Sequence, residues 1–312
     1  MPEGPEVQII SERLNEILKN CALTNIDIFA GRYLNTKPRG FNAFEKELPM
    51  IVKSVNSKGK FIYFTLISQD NEEWYIFNTL GLSGKWVFEK ESHSQIEFEF
   101  RRTSKSKPSN FKLPKKSDKL PAKDLPDYTP MKYLIEPESV KKSNKFAMWF
   151  TDIRRFGTFI FTNSKEELNK KLWELGPDVL KENVGKLYLK KIIEKGEKKK
   201  IPAILMDQKK IAGLGNYLVP EILFRSGISP YRTGKSLTPV DITKLYKYLL
   251  CLPKLSYKSQ GGIHNFKPQV KVSGDFRFKV YRQKYCPNGD KISGAKDIIK
   301  GRTVYWCPSC QN

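Results

Sequence analysis

Eight short runs between residues 23 and 164 constrain this chain most: "LTNIDIF", "IVKSVNS", "KFIYFTLI", "EWYIFNTL", "GKWVFEK", "QIEFEF", "KFAMWFTDI" and "GTFIFTNS". They are short and rich in Ile, Val, Phe, Tyr and Trp, and several alternate apolar with polar residues. That pattern belongs to half-buried strands, and so many in succession predict a β-sandwich or barrel-like sheet. Ahead of them "VQIISERLNEIL" puts Val7, Ile9, Ile10, Leu14, Ile17 and Leu18 at helical spacing. The chain opens "MPEGPE", where Pro2 and Pro5 each lack an N–H. We read a stub without regular structure before residue 6 and a helix from about Val7.

From Glu166 the pattern turns helical, in "KEELNKKLWELGPDVL", "KKKIPAILMDQKKIAGLGNYLVPEILFRSG" and "TPVDITKLYKYLLCL". "LGPD" at 175–178 breaks it and marks a boundary between halves. The last segment reads as a β-hairpin turning at Asn288-Gly289. Between Arg101 and about Pro137, a Lys/Pro/Ser-rich stretch cannot bury much. It is expected to be a disordered, solvated insertion, with non-specific phosphate contacts as the alternative.

The charge balance then limits the partners. With 56 Lys+Arg against 33 Asp+Glu, the net charge is +23. That surplus suits a polyanion, nucleic acid first and an anionic membrane surface second; a lysine-rich compositional bias is the bland alternative. No run of 18 apolar residues and no signal-peptide core is present, so the expected location is intracellular, nuclear or cytoplasmic. Cys21 and Cys251 stand alone in apolar contexts, as small core residues.

Four constellations can carry chemistry, each with an ordinary reading beside the functional one. In "AGLGNYLVPEILF", Gly213, Gly215 and Asn216 precede a helix whose N-terminal N–H groups can hold a phosphate, or they form a plain helix–turn–helix corner. In "DIRRFG", Arg154, Arg155 and Phe156 follow a strand and can contact phosphate and stack on bases, or simply decorate the surface. Lys60 follows Gly59 at a strand mouth, as a point-charge clamp or a solvated lysine. Cys307 and Cys310 have the CxxC spacing of a zinc site. Cys286 is a third thiol whose neighbourhood lacks a second cysteine or a histidine; Asp290 or water can complete a site, or the hairpin is metal-free.

Together these pieces are specific. "PEGPE" at 2–6, "SKGKF" at 57–61, "LGLSG" at 80–84, "DIRRFG" at 152–157, "LGP" at 175–177, "DQKKIAGLGNYLVPEILF" at 207–224 and "GRTVYWCPSCQ" at 301–311 occur in this order. The series resembles the Fpg/Nei (formamidopyrimidine-DNA glycosylase / endonuclease VIII) family, most closely its Nei-like branch as in eukaryotes and large DNA viruses. The resemblance implies an α+β fold of two domains. Residues 1–164 would form a catalytic N-terminal β-sandwich domain with a leading helix, 101–137 being the insertion. Residues 165–175 would be a linker helix, 176–275 a helix–two-turn–helix DNA-binding domain, and 276–312 a zinc or zincless β-hairpin finger.

It also implies the chemistry. Methionine before proline is readily removed, which leaves Pro2 with a secondary amine. An unperturbed α-amino group titrates near ~8, and a cation such as Lys60 lowers that. By resemblance this amine attacks C1′ of a damaged nucleotide, displaces the base and forms a Schiff base that undergoes β,δ-elimination. Glu3 is the implied general acid/base and Glu6 a further acidic position. Lys60, Asn216 and Arg302 would grip phosphates. Leu82, Arg154 and Phe156 would fill the void left by the extruded base, Leu82 standing where many relatives carry methionine.

Cys286, Cys307 and Cys310 fall between the family's four-ligand zinc finger and its metal-free hairpin. No cofactor is needed for the chemistry; structural zinc stays open. Damaged DNA is the expected partner and a monomer the expected state, with no membrane association. Only 17 residues separate Gly262 from Val280, a short stretch that resembles enzymes favouring oxidised pyrimidines and hydantoins over 8-oxoguanine. The alternative from another class is a catalytically idle nucleic-acid-binding protein. A redox or metal-storage role for CPSC accounts only for the C-terminal end.

Overall fold

The computed structural model describes residues 2–109, 134–262, 264, 266 and 276–312. The described chain divides into two compact units: residue 2 with 6–109 and 134–173, and residues 3–5 with 174–262, 264, 266 and 276–312. The fold is α+β, with a β-sheet and leading helix in the first unit, and the helix–two-turn–helix and a terminal hairpin in the second.

Helix α1 runs Gly4–Leu18, earlier than the prolines suggest. The first turn of a helix has no intrahelical use for its N–H groups, so Pro5 fits there without cost. All eight expected runs form strands: β1 Ala22–Ile28, β2 Met50–Lys58, β3 Phe61–Ile67, β4 Glu73–Thr79, β5 Lys85–Val87, β6 Ser94–Arg101, β7 Lys145–Thr151 and β8 Thr158–Thr162. A short helix, α2 (Phe41–Lys46), lies between β1 and β2, and another, α3 (Glu138–Lys141), precedes β7. The strands make one antiparallel sheet in the order β5-β7-β6-β1-β2-β3-β4-β8. Val7, Ile10, Leu14 and Ile17 of α1 pack into its aromatic core of Trp86, Phe98, Phe150 and Phe159. Each ring that is fully buried contributes on the order of 1.5–3 kcal/mol, and the edge-on contacts between them add geometric specificity (Phe150–Phe159 centroids 4.8 Å apart at 86°).

The expected insertion is ordered at both ends. Ser109, Leu134 and Glu136 are buried. The Glu136 carboxylate accepts from the Arg102 guanidinium and, at 2.5 Å, from the Ser109 N–H. A buried ion pair with this many partners closes the base of the segment. Disorder therefore does not extend to residues 101–109 or 134–137; the rest of that expectation, residues 110–133, lies outside the described residues.

The first unit ends on helix α4 (Lys165–Glu174). The second holds α5 (Lys186–Lys195), α6 (Ile201–Leu205), α7 (Leu218–Ser226) and α8 (Pro239–Ser259) around a core that includes Ile204, Leu214, Ile222 and Leu249. α8 begins in a capping box: the Thr238 hydroxyl accepts from the Asp241 N–H, and Asp241 accepts from the Thr238 N–H. The terminal hairpin pairs β9 (Ser293–Ile299) with β10 (Arg302–Trp306). Its tight turn is therefore at residues 300–301. The expected turn at Asn288-Gly289 instead closes a knuckle, in which the Cys286 N–H donates to the Asp290 carbonyl at 2.8 Å.

Candidate active site

In the second unit the N-terminal stub is a docked strap. The Gly4 N–H donates to the Gly213 carbonyl at 2.8 Å. A Cβ on Gly4 would lie 3.0 Å from the Gly213 Cα, so two bare backbones touch here. Gly213 has φ +102°, a conformation costly for residues with a side chain. The glycine motif thus accommodates the stub, and the Gly213 N–H is already given to Gln208 Oε1 at 3.0 Å. Glu3 is 0% exposed, and its carboxylate accepts from the N–H groups of Tyr217 (2.7 Å) and Leu218 (3.3 Å) at the start of α7. Those are the unsatisfied donors of a helix N-terminus, where the macrodipole also favours an anion.

Gln208 organises the loop between α6 and α7. Its Nε2 donates to the carbonyls of Met206 and Leu214, both at 2.9 Å, while its backbone carbonyl accepts from the Gly176 N–H. That last contact ties the "LGP" segment to the loop. Asn216, half-buried at the loop's end, accepts from Arg302 Nη1 at 3.1 Å through Oδ1. The hairpin arginine and the helix-start asparagine are thereby side by side. Glu221, fully buried in α7, accepts from the N–H groups of Lys279, Val280 and Tyr281 and from Arg225. It fixes the segment leading into the hairpin.

At the knuckle, Cys286, Asp290, Cys307 and Cys310 place one ligand atom each within 4.8 Å of one another. Cys286 Sγ lies 3.8 Å from Cys310 Sγ, and each lies 3.5 Å from Asp290 Oδ2. Around one tetrahedral zinc, with sulfur at ~2.3 Å and oxygen at about 2.0–2.2 Å, neighbouring ligand atoms are about 3.6–3.8 Å apart. The donor set and its spacing fit the ion. Without it, burial and then the neighbouring Cys307, Cys286 and Asp290 push the Cys310 thiol up to about 12.

In the first unit Pro2 and Glu6 are buried. Lys60 is half-buried in the tight turn between β2 and β3. Leu82, Arg154 and Phe156 come from two loops, residues 80–84 and 152–157, that pack backbone against backbone. Gly81, at φ +60°, would place a Cβ 2.8 Å from the Phe156 carbonyl carbon. The Arg154 guanidinium lies 5.4 Å from the centre of the Phe156 ring, which is 53% exposed. Two exposed groups that stack on each other can both reach a ligand.

This geometry sits in a chain whose family is recognisable throughout. Residues 1–159 match the formamidopyrimidine-DNA glycosylase N-terminal domain, 175–265 its H2TH domain and 268–312 its C-terminal domain. The chain belongs to the formamidopyrimidine-DNA glycosylase family. A formamidopyrimidine-DNA glycosylase of Prochlorococcus marinus strain MIT 9312 is 36% identical over 180 residues, which span 55% of this chain and 60% of that protein. Another, of strain MIT 9215, is 28% identical over the whole length of both. Among solved structures, MutM in complex with DNA containing carbocyclic 8-oxo-G superposes with a TM-score of 0.72 over all of both chains, at 22% identity.

Sequence reasoning about this glycosylase-family chain missed the residues that order the loops within each unit. Asp152, Ser83, Gln208, Tyr217 and Glu221 were inside the motifs but had no role. Asp152 had a usable signal, an aspartate at a strand end followed by a loop and a glycine, the setting in which a carboxylate collects backbone N–H groups. Gln208 had none, because what it binds is set by a loop path that no short-range pattern reveals. Among the described residues, no helix is long and apolar enough to cross a membrane.

Proposed function

We propose that this protein is a bifunctional DNA glycosylase and AP lyase of base-excision repair, acting through the amine of Pro2. The observation that carries the reading is the strap: residue 2 immediately precedes a buried carboxylate pinned at 2.7 Å to the first turn of α7.

In the proposed reaction the Pro2 nitrogen lone pair attacks C1′ of the damaged nucleotide. The C1′–N bond breaks, and its electrons leave with the base, which takes up a proton. The Pro2 nitrogen gives up its proton to the Glu3 carboxylate, which passes it to the ring oxygen as the sugar opens to the iminium. The iminium acidifies the C2′ proton; its removal expels the 3′ phosphate, and a second elimination expels the 5′ phosphate. Glu6 assists proton movement. Lys60, Asn216 and Arg302 hold the flanking phosphates as charge-assisted or polar contacts. Leu82, Arg154 and Phe156 occupy the space of the extruded base, whose removal from the stack costs a few kcal/mol.

Cys286, Asp290, Cys307 and Cys310 would hold a structural zinc whose role is to fix the knuckle next to the hairpin, with no part in the bond changes. Zinc measured by native mass spectrometry should be about one per chain and should vanish in Asp290→Ala together with Cys310→Ala. A metal-free, equally stable parent protein contradicts this.

The short stretch from Gly262 to Val280 supports a preference for oxidised pyrimidines and hydantoins over 8-oxoguanine. Duplexes carrying each lesion, incubated with the purified protein and read on denaturing gels, test activity and preference together. Cleavage to 3′-phosphate ends is expected, fastest for the pyrimidine and hydantoin. An intact mass showing retained Met1, with DNA binding but no cleavage, would instead favour an idle binding protein.

A further inference from the structure

The void-filling role assigned to Leu82, Arg154 and Phe156 poses a physical difficulty that this inference, which rests on the proposed function, addresses. Ile153 and Phe156 are 62% and 53% exposed, and Arg154 is exposed beside them. Side chains on an exposed loop lose rotamer and backbone freedom when they enter a duplex, and that loss weakens binding unless the loop is already ordered.

The order here comes from one buried acid. Asp152, 1% exposed at the end of β7, accepts on its carboxylate from the Ser83 hydroxyl, the Arg154 N–H (3.2 Å) and the Gly157 N–H (2.7 Å). The Ser83 hydroxyl oxygen also accepts from the Arg154 N–H at 3.1 Å. The Asp152 carbonyl accepts from the Arg155 N–H at 3.3 Å and from the Gln95 side chain at 2.5 Å. Arg155 is held at φ +56°, a conformation that non-glycine residues keep only when their surroundings over-determine it. Ser83 belongs to the loop of Leu82, while Arg154 and Gly157 bracket Phe156. A single carboxylate therefore ties all three void-filling positions into one pre-formed wedge.

We propose that Asp152 is a positioning residue for orphan-base recognition: its carboxylate sets the wedge, and excision from duplex DNA depends on it, whereas lyase chemistry on a single strand does not. A single strand has no orphaned base and no stack to fill, so it is indifferent to the wedge.

Asp152→Asn preserves volume but turns an NH2 group toward one of two backbone donors. Single-turnover excision from a duplex with an oxidised pyrimidine should fall tenfold or more. Cleavage of a single-stranded oligonucleotide with a preformed abasic site should stay within about twofold of the parent. Ser83→Ala, which removes only the hydroxyl, should give the same selective loss at smaller size. Unchanged duplex excision in D152N overturns the inference. So does an equal loss on both substrates in either variant, the mark of a merely structural role. A parent protein that cleaves neither substrate overturns the catalytic reading and this inference with it, an outcome distinct from a parent active on both and a variant equally active.

Discussion

Two loop systems carry the candidate functional side chains, and they are organised by opposite chemistry. Residues 80–84 and 152–157 gather around the Asp152 carboxylate, an acceptor only. Residues 206–214 gather around the neutral amide of Gln208, which accepts from one backbone group and donates to two. The first loop pair presents N–H groups inward and leaves the side chains of Ile153, Arg154, Arg155 and Phe156 exposed. The second must satisfy donors and acceptors at once, because it also receives the N-terminal strap. An anion can gather only donors. A loop that turns one N–H, of Gly213, and two carbonyls, of Met206 and Leu214, toward the same side chain needs the amide.

The two loops part most visibly at Gly213. Gly213→Val forces a branched side chain onto φ +102° at the contact with Gly4. Displacing the strap by about 1 Å is expected to lower excision by about 100-fold or more. Affinity for an abasic-site analogue should change only a few-fold, because the phosphate contacts proposed for Asn216 and Arg302 remain. Single-turnover rates beside gel-shift titrations measure the split; equal losses in both would mean that the strap is not separately held.

Gln208 gives the next largest effect. Gln208→Leu leaves three backbone groups to find other partners, a loss of about 2–3 kcal/mol at roughly 1 kcal/mol per bond. Gln208→Glu should do no better, since it restores one acceptor and repels two carbonyls. Thermal melts should show both variants several degrees below the parent; rescue by Glu would erase the distinction between the two loops.

The strands were readable because alternation and aromatic content are local properties, and the glycosylase motifs because their order is itself information. Helix α5 escaped notice since "KLYLKKIIEK" is crowded with lysine, although Leu189, Ile192 and Ile193 are buried in one face. The hairpin turns at 300–301 although Asn288-Gly289 carries the stronger turn chemistry, because the cysteine knuckle uses that pair. Helix α1 begins ahead of Val7 because proline, which breaks a helix in its interior, fits in the first turn. What could not be read were long-range polar contacts such as Glu3 to Tyr217, 214 residues apart in sequence.

The smallest expected effect is acid sensitivity, with one group in each unit as a reference outside the two loops. Hydrogen bonds from Lys53 and Tyr75 hold the Glu73 carboxyl below its ordinary value. For Asp241 burial acts upward, but the Thr238 contacts and Arg232 outweigh it and the net shift is down. A carboxyl depressed in the folded state contributes stability that is fully present above its unfolded value, near ~4, and is lost as pH falls through the folded one. The melting temperature should therefore fall as pH drops below about 4, and less steeply in Glu73→Gln and Asp241→Asn. An unchanged slope in both would remove these groups from the account. Thr238→Ala should separately cost about 1 kcal/mol through the lost cap.

The central claim is that residue 2 performs the chemistry, and borohydride trapping tests it most directly. The protein, with Pro2 verified as its terminus by intact mass, is mixed with DNA carrying an oxidised pyrimidine and reduced during turnover. The expected result is a covalent adduct whose proteolytic map places the DNA on Pro2, absent when one residue is added ahead of it. A folded, DNA-binding protein that gives no adduct, or one mapped to a lysine, contradicts the account.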